Sequence, residues 1–270
     1  MKLNIARDAR PQARTLLVAA ALSIALWFIP YAEVLTYPFR IFVTFIHEGG
    51  HAVAALLTGN SVESLSVAIN ASGETYTTRG GMLSQVLVSS GGYLGAMLYG
   101  ALLLFLIRRA VAARVVLTGS ALLVLALTVI YGLWKPIANG IWGQPIHLSG
   151  IPFTLIAGAV LTVGLLAVAR YAPPRAATFF LSFLAVQCVL NALLDLKTVL
   201  FLSSPFGPSV PTDAVNMENA TRVPAFVWSI IWIGLAFMLL SMALRFYAVS
   251  RSRKEAQQDL PFEDPIEAQP

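Results

Sequence analysis

His47, Glu48 and His51, in the stretch FIHEGGHAVAALL (45–57), are the side chains here best suited to chemistry. They form H-E-x-x-H. On a helix, positions i and i+4 share one face, so both imidazoles can turn toward a single metal ion. Imidazole suits zinc, and a catalytic zinc site needs three protein ligands and an open position for water. The metal lowers the pKa of that water to about 7. Glu48, next to the first ligand, is placed to act as general base. The surroundings are apolar, and an ionisable group at membrane depth costs about 2.5–3.5 kcal/mol on insertion scales. Two of the chain's three histidines stand in this motif.

A third ligand must come from elsewhere, because no histidine follows six residues after His51. Of the 13 acidic residues, only Glu48 and Asp195 fall well inside predicted apolar spans. Asp195 ends the row Gln187, Asn191, Asp195, spaced i, i+4, i+8 along one helical face. A polar stripe on a membrane helix must face protein or a cavity. Asp195 is therefore the expected third metal ligand, and the plain alternative is a helix-packing stripe with Lys197 as a nearby counter-charge. His147, at a loop–helix junction, and Asp213, in VPTDAVNMENATRVP, are reserve candidates whose positions read as ordinary loop.

The elements that must hold these residues are membrane helices. Of the 270 residues 57% are hydrophobic and 11% charged, with a mean hydropathy of +0.75. Soluble domains carry roughly 25% charged residues, so a soluble class is excluded. Apolar segments fall at 15–36, 39–58, 82–107, 115–134, 150–169, 177–202 and 223–248. Each can cross ~30 Å of hydrocarbon, and in lipid the backbone must satisfy itself, which makes them helices. The expected fold is an all-α polytopic membrane protein with about six to seven transmembrane helices and a short β-hairpin after the zinc-binding helix. The hairpin is read at 60–81, where SLSVAIN (64–70) alternates polar and apolar, SG (72–73) offers a turn, and ETYTTR is β-prone.

Three regions follow: a basic N-terminal segment with the first helix (1–38), a core (39–248), and a charged tail (249–270) whose composition predicts disorder. The N-terminus has a basic start and an apolar run without a small-x-small cleavage site, and it reads as an uncleaved span. Cys188, the only cysteine, lies in an apolar run and is expected in the core. Basic clusters at Arg108, Arg109 and Arg114, at Arg170 and Arg175, and at Arg251, Arg253 and Lys254 read as membrane-flanking charge, with no nucleic-acid motif beside them. Seven crossings would divide the basic residues almost evenly. The positive-inside rule then chooses no orientation, unless one apolar segment only dips into the membrane.

FIHEGGHAVAALLTG, SSGGYLGAMLYG, NALLDL and TDAVNMENATRVPAFVW together resemble the site-2 protease family, especially its compact bacterial branch, over roughly residues 40–235. The resemblance implies a multi-pass protein of the bacterial cell membrane that hydrolyses peptide bonds of membrane-embedded protein substrates within the bilayer. It implies Zn2+ held by two histidines and a distant aspartate, with the glutamate activating water. His47, His51 and Glu48 match residue by residue. Around Asp195 the pattern departs: Asn191 precedes Leu194-Asp195-Leu196 without the family's prolines or glycine. The hairpin is similar to the family's membrane-associated sheet, and an exposed edge at 64–70 would hold substrate extended. Gly92, Ala96 and Gly100 form a small-residue stripe that permits close helix packing. Two other classes share these features: a metal or ion transporter, and a catalytically silent scaffold of the same fold.

Overall fold

The computed structural model describes residues 10–26, 28–141, 150–203 and 210–248 of the chain. The tail from 249 and His147 lie outside them. Among the described residues, five helices are long and apolar enough to cross a bilayer: α3 (Met82–Arg108), the continuous helix Ala113–Ile141, α6 (Ile151–Tyr171), α7 (Pro174–Leu202) and most of α9 (Ala225–Ala248). Ala113–Ile141 comprises α4 (Ala113–Ala126), a π-helical segment (Leu127–Trp134) and α5 (Lys135–Ile141). Two further helices precede them, α1 (Arg10–Leu26) and α2 (Glu33–Leu57), and the short α8 (Asp213–Thr221) lies between α7 and α9. The protein is an all-α, multi-pass integral membrane protein with one two-stranded sheet.

The first helix break falls earlier than the apolar segments suggest. Pro38 lies inside α2, and the chain turns instead at Pro30-Tyr31, where Tyr31 takes φ +62°. α1 is therefore only 17 residues long.

α2 and α3 pack antiparallel: Thr58 Oγ1 lies 2.9 Å from Ser84 Oγ, Gly50 meets Gly91, and Phe42 faces Tyr99. Glycine makes this approach possible. A Cβ on Gly50 would collide with the Gly91 carbonyl, and one on Gly95 would stand 3.1 Å from Gly50 Cα. Gly100, from the stripe noted in the sequence, packs on α7, where a Cβ would come within 2.9 Å of Val189 and 3.3 Å of Cys188. Cys188 is buried there.

The hairpin pairs β1 (Val62–Val67) with β2 (Gly73–Thr77), antiparallel, with Leu65 opposite Thr75 and Val67 opposite Gly73. Its turn comes before the SG dipeptide: Ala68 N donates to Ser72 O at 2.8 Å, Asn70 Oδ1 accepts from Ser72 N at 3.0 Å, and Ala71 supplies the positive φ. The edge expected to be free on 64–70 is covered. Val67 N donates to Thr154 Oγ1 of α6 at 2.8 Å, and Asn139 Nδ2 donates to Glu63 O at 3.2 Å. The second edge of β2 has no strand partner among the described residues.

Candidate metal centre

α2 presents His47 and His51 one turn apart, with their Nε2 atoms 3.0 Å from each other. His51 Nδ1 lies 2.6 Å from Val88 O of α3. A carbonyl only accepts, so Nδ1 carries the proton and Nε2 is left with its lone pair. The third group is Asp213, whose Oδ2 is 3.4 Å from His47 Nε2 and 3.4 Å from His51 Nε2. Among the described residues these three form a cluster whose ligand atoms all lie within 4.8 Å of one another.

The donor set fits a metal ion. A tetrahedral zinc with bonds of about 2.0–2.1 Å needs donors about 3.3 Å apart, which is the spacing of this triangle. Electron-rich atoms aimed at one point require a positive centre, and a dication satisfies all three at once. Room for the rings comes from α3: a Cβ on Gly92 would collide with His47 Nε2 and stand 2.5 Å from His51 Nε2. Tyr93 packs edge-on against His47 with ring centroids 4.5 Å apart. It is backed by Trp232 of α9, whose Nε1 donates to Ser90 Oγ at 3.0 Å.

Glu48 is buried beside the cluster and is held by β2. Thr75 Oγ1 donates to its Oε2 at 2.7 Å, and Gly73 leaves space for Oε1, since a Cβ there would stand 2.8 Å from the carboxyl carbon. The hairpin thus fixes the carboxylate that follows the first histidine.

The profile of a family described as Peptidase M50B-like matches residues 16–137 and 151–243. The chain belongs to the Peptidase M50B-like family. No curated protein and no solved structure matches it.

In this M50B-like chain the structure brings together His47, Glu48, His51 and Asp213, and it leaves Asp195 out of the cluster. This departs from the expectation for the third ligand. Asp195 opens instead into a pocket of roughly 340 Å3 with Glu33, Arg40 and Lys197. Of the other members of its row, Gln187 ties α7 to α1, its Nε2 donating to Ser23 Oγ at 3.3 Å, and Asn191 Nδ2 bonds back along α7 to Gln187 O at 2.8 Å. The row is a packing stripe that ends in a polar pocket.

Asp213 looked like loop, yet the signals for a helix are present. Thr212 is an extended N-cap whose Oγ1 accepts from Val215 N at 3.3 Å. Ala214 and Met217, i and i+3, are fully buried and seat the helix. Its far end is closed by Arg222 at φ +65° and by Trp228 Nε1 donating to Thr221 Oγ1 at 3.1 Å. This short capped helix carries the third carboxylate to the histidines.

Proposed function

We propose that the protein is a zinc-dependent intramembrane metalloprotease that hydrolyses peptide bonds of membrane-embedded protein substrates, with Zn2+ on His47, His51 and Asp213. The observation that carries the reading is the donor triangle of 3.0, 3.4 and 3.4 Å with Glu48 held beside it. Family membership supports a membrane protease. Bound zinc supplies Lewis acidity, polarising a carbonyl and making water acidic enough to attack at neutral pH.

The chain's own residues do the rest. His51 is set in its metal-binding tautomer by Val88 O. Glu48 takes a proton from water on a carboxylate oxygen and returns it to the leaving amine, while Thr75 keeps the carboxylate oriented. Substrate must be extended to be cut, and β2 offers the edge for that. Because Val67 turns its N–H outward to Thr154, the Val67–Gly73 pair is one of the non-hydrogen-bonded pairs of the ladder. Gly73, and by alternation Thr75, therefore turn their backbone groups to the open edge next to Glu48. A chain pairing there would run past the carboxylate.

The test is cleavage of a reconstituted transmembrane peptide together with zinc stoichiometry. Glu48→Gln should keep about one zinc per chain and lose activity by roughly 100-fold or more, as expected for a missing general base. Unchanged turnover by this variant would refute the role of Glu48. An intact chain that binds zinc and moves it across vesicles without cleaving would favour transport instead.

A further inference from the structure

Contacts between the helices sort their ends onto two sides of the molecule. On one side, Arg114 Nη2 of α4 donates to Ala172 O after α6 at 3.2 Å, so the α3–α4 and α6–α7 linkers adjoin. Arg14 at the start of α1 shares a groove with Pro174 and Arg175 at the start of α7. On the other side, Thr58 meets Ser84, Asn139 meets Glu63, and Ser203 at the end of α7 meets Ser229 at the start of α9.

α1 does not reach that second side. Its 17 residues span about 25 Å, and Ser23 near its end meets Gln187, near the middle of α7. α2 starts back toward the first side: Phe39 packs on Phe180 and Phe183, near the start of α7, and Phe42 with Tyr99, Gly50 with Gly91 and Thr58 with Ser84 run α2 along the whole of α3. α1 thus dips in from the first side and α2 makes the crossing, so the pair contributes one. With the five apolar helices this gives an even number of crossings, so α1 begins and α9 ends on the same side.

The basic residues then segregate. Arg108, Arg109 and Arg114, Arg170 and Arg175, Arg14 and Arg245 all belong to the side where α1 begins, and Arg251, Arg253 and Lys254 follow Arg245 in the chain. The other side carries Arg79 and Arg222 in its linkers and Lys135 and Lys197 in the last two turns of their helices, while 142–149 and 204–209 contain no Lys or Arg. By the positive-inside rule the first side is cytoplasmic. The metal centre lies toward the other. His51 is bonded to Val88, six residues or about 9 Å from the start of a helix about 40 Å long, and Asp213 arrives from the linker on that side.

We propose that the centre opens toward the non-cytoplasmic face, and that its substrates are membrane chains whose unwound segment lies in that half of the bilayer. The orientation stands on charge and packing; the substrate class rests on the protease reading above. Two single-cysteine reporters decide the orientation, with buried Cys188 unchanged. Gly81→Cys has open space around it, and Ala112→Cys replaces an exposed residue between α3 and α4. On intact cells making the full chain, a membrane-impermeant maleimide should label Gly81→Cys, and label Ala112→Cys only after permeabilisation. The reverse pattern, or labelling of both or of neither on intact cells, overturns the orientation. The substrate class is read with two otherwise identical transmembrane peptides, helix-broken near the outer or the inner end and co-produced with the protein. The outer-broken peptide should be cut at least about tenfold faster, and preference for the inner-broken one overturns this part. If neither is cut while labelling follows the expected pattern, the protease reading fails and the orientation stands.

Discussion

A metal ligand in a membrane protein has to be affordable as well as reachable, and Asp213 meets both conditions. Its Oδ2 lies 3.4 Å from both imidazoles, so the proposed dication on the three groups would compensate the partly buried carboxylate, whereas nothing would compensate a lone charge. Asp195 sits among Glu33, Arg40 and Lys197 instead. The two carboxylates should therefore respond differently to removal. Asp213→Ala should lose zinc and activity together, by roughly the amount seen for His51→Ala, because a three-ligand site cannot hold its ion with two. Asp195→Ala should retain about one zinc per chain. Metal analysis of the purified variants checks both, and the opposite pattern would return the ligand role to Asp195.

At the scale of elements, the hairpin has a division of labour. β1 is locked into the bundle by Thr154 and Asn139, and β2 holds Glu48 on one face while its second edge has no strand partner among the described residues. In an antiparallel ladder only alternate residues turn their N–H groups toward a given neighbour. Single N-methylation along a substrate peptide should then slow cleavage at every second position of the paired stretch, by about fivefold or more for each lost bond of roughly 1 kcal/mol. Kinetics of such a series check it, and uniform indifference would exclude pairing on β2. The π-helical segment Leu127–Trp134 belongs with this arrangement. Its Leu127 packs on Gly49, where a Cβ would stand 2.9 Å from Leu127 Cδ1, and Gly132 lies 3.7 Å from the Leu65 carbonyl by the same measure. A wider helical turn is thus placed where the bundle receives both α2 and the strand.

For the whole molecule, the proposed ion joins parts of the chain that are far apart in sequence, α2 and α8. Anything that binds the folded state alone stabilises it by mass action, about 2.7 kcal/mol at a free concentration 100 times Kd. Chelation should therefore lower the unfolding temperature of the detergent-solubilised protein. The same treatment should leave a His47→Ala/His51→Ala double variant unmoved. Thermal scans with and without chelator check this, and an equal shift in both proteins would show that chelation acts elsewhere.

The local features of this protein were readable from residue order alone. His47, Glu48 and His51 sit within five residues on one helix, and the 3.6-residue period by itself decides that both imidazoles share a face. Apolar content likewise determined that the chain is a helical membrane protein, because lipid leaves the backbone few alternatives. The hairpin was legible as alternation, although its turn lay nearer Asn70 than the SG dipeptide. What the order of residues could not decide was which distant carboxylate reaches the histidines. Asp195 had the better local pattern, inside a span and on a polar face. Asp213 had the right place, because Ala214 and Met217 seat α8 in the bundle and its cap points the carboxylate inward. The depth at which α1 stops was hidden for the same reason. Helix length is local, but the level at which Ser23 meets Gln187 is set by packing across 164 positions of chain, and no periodicity within either helix records it.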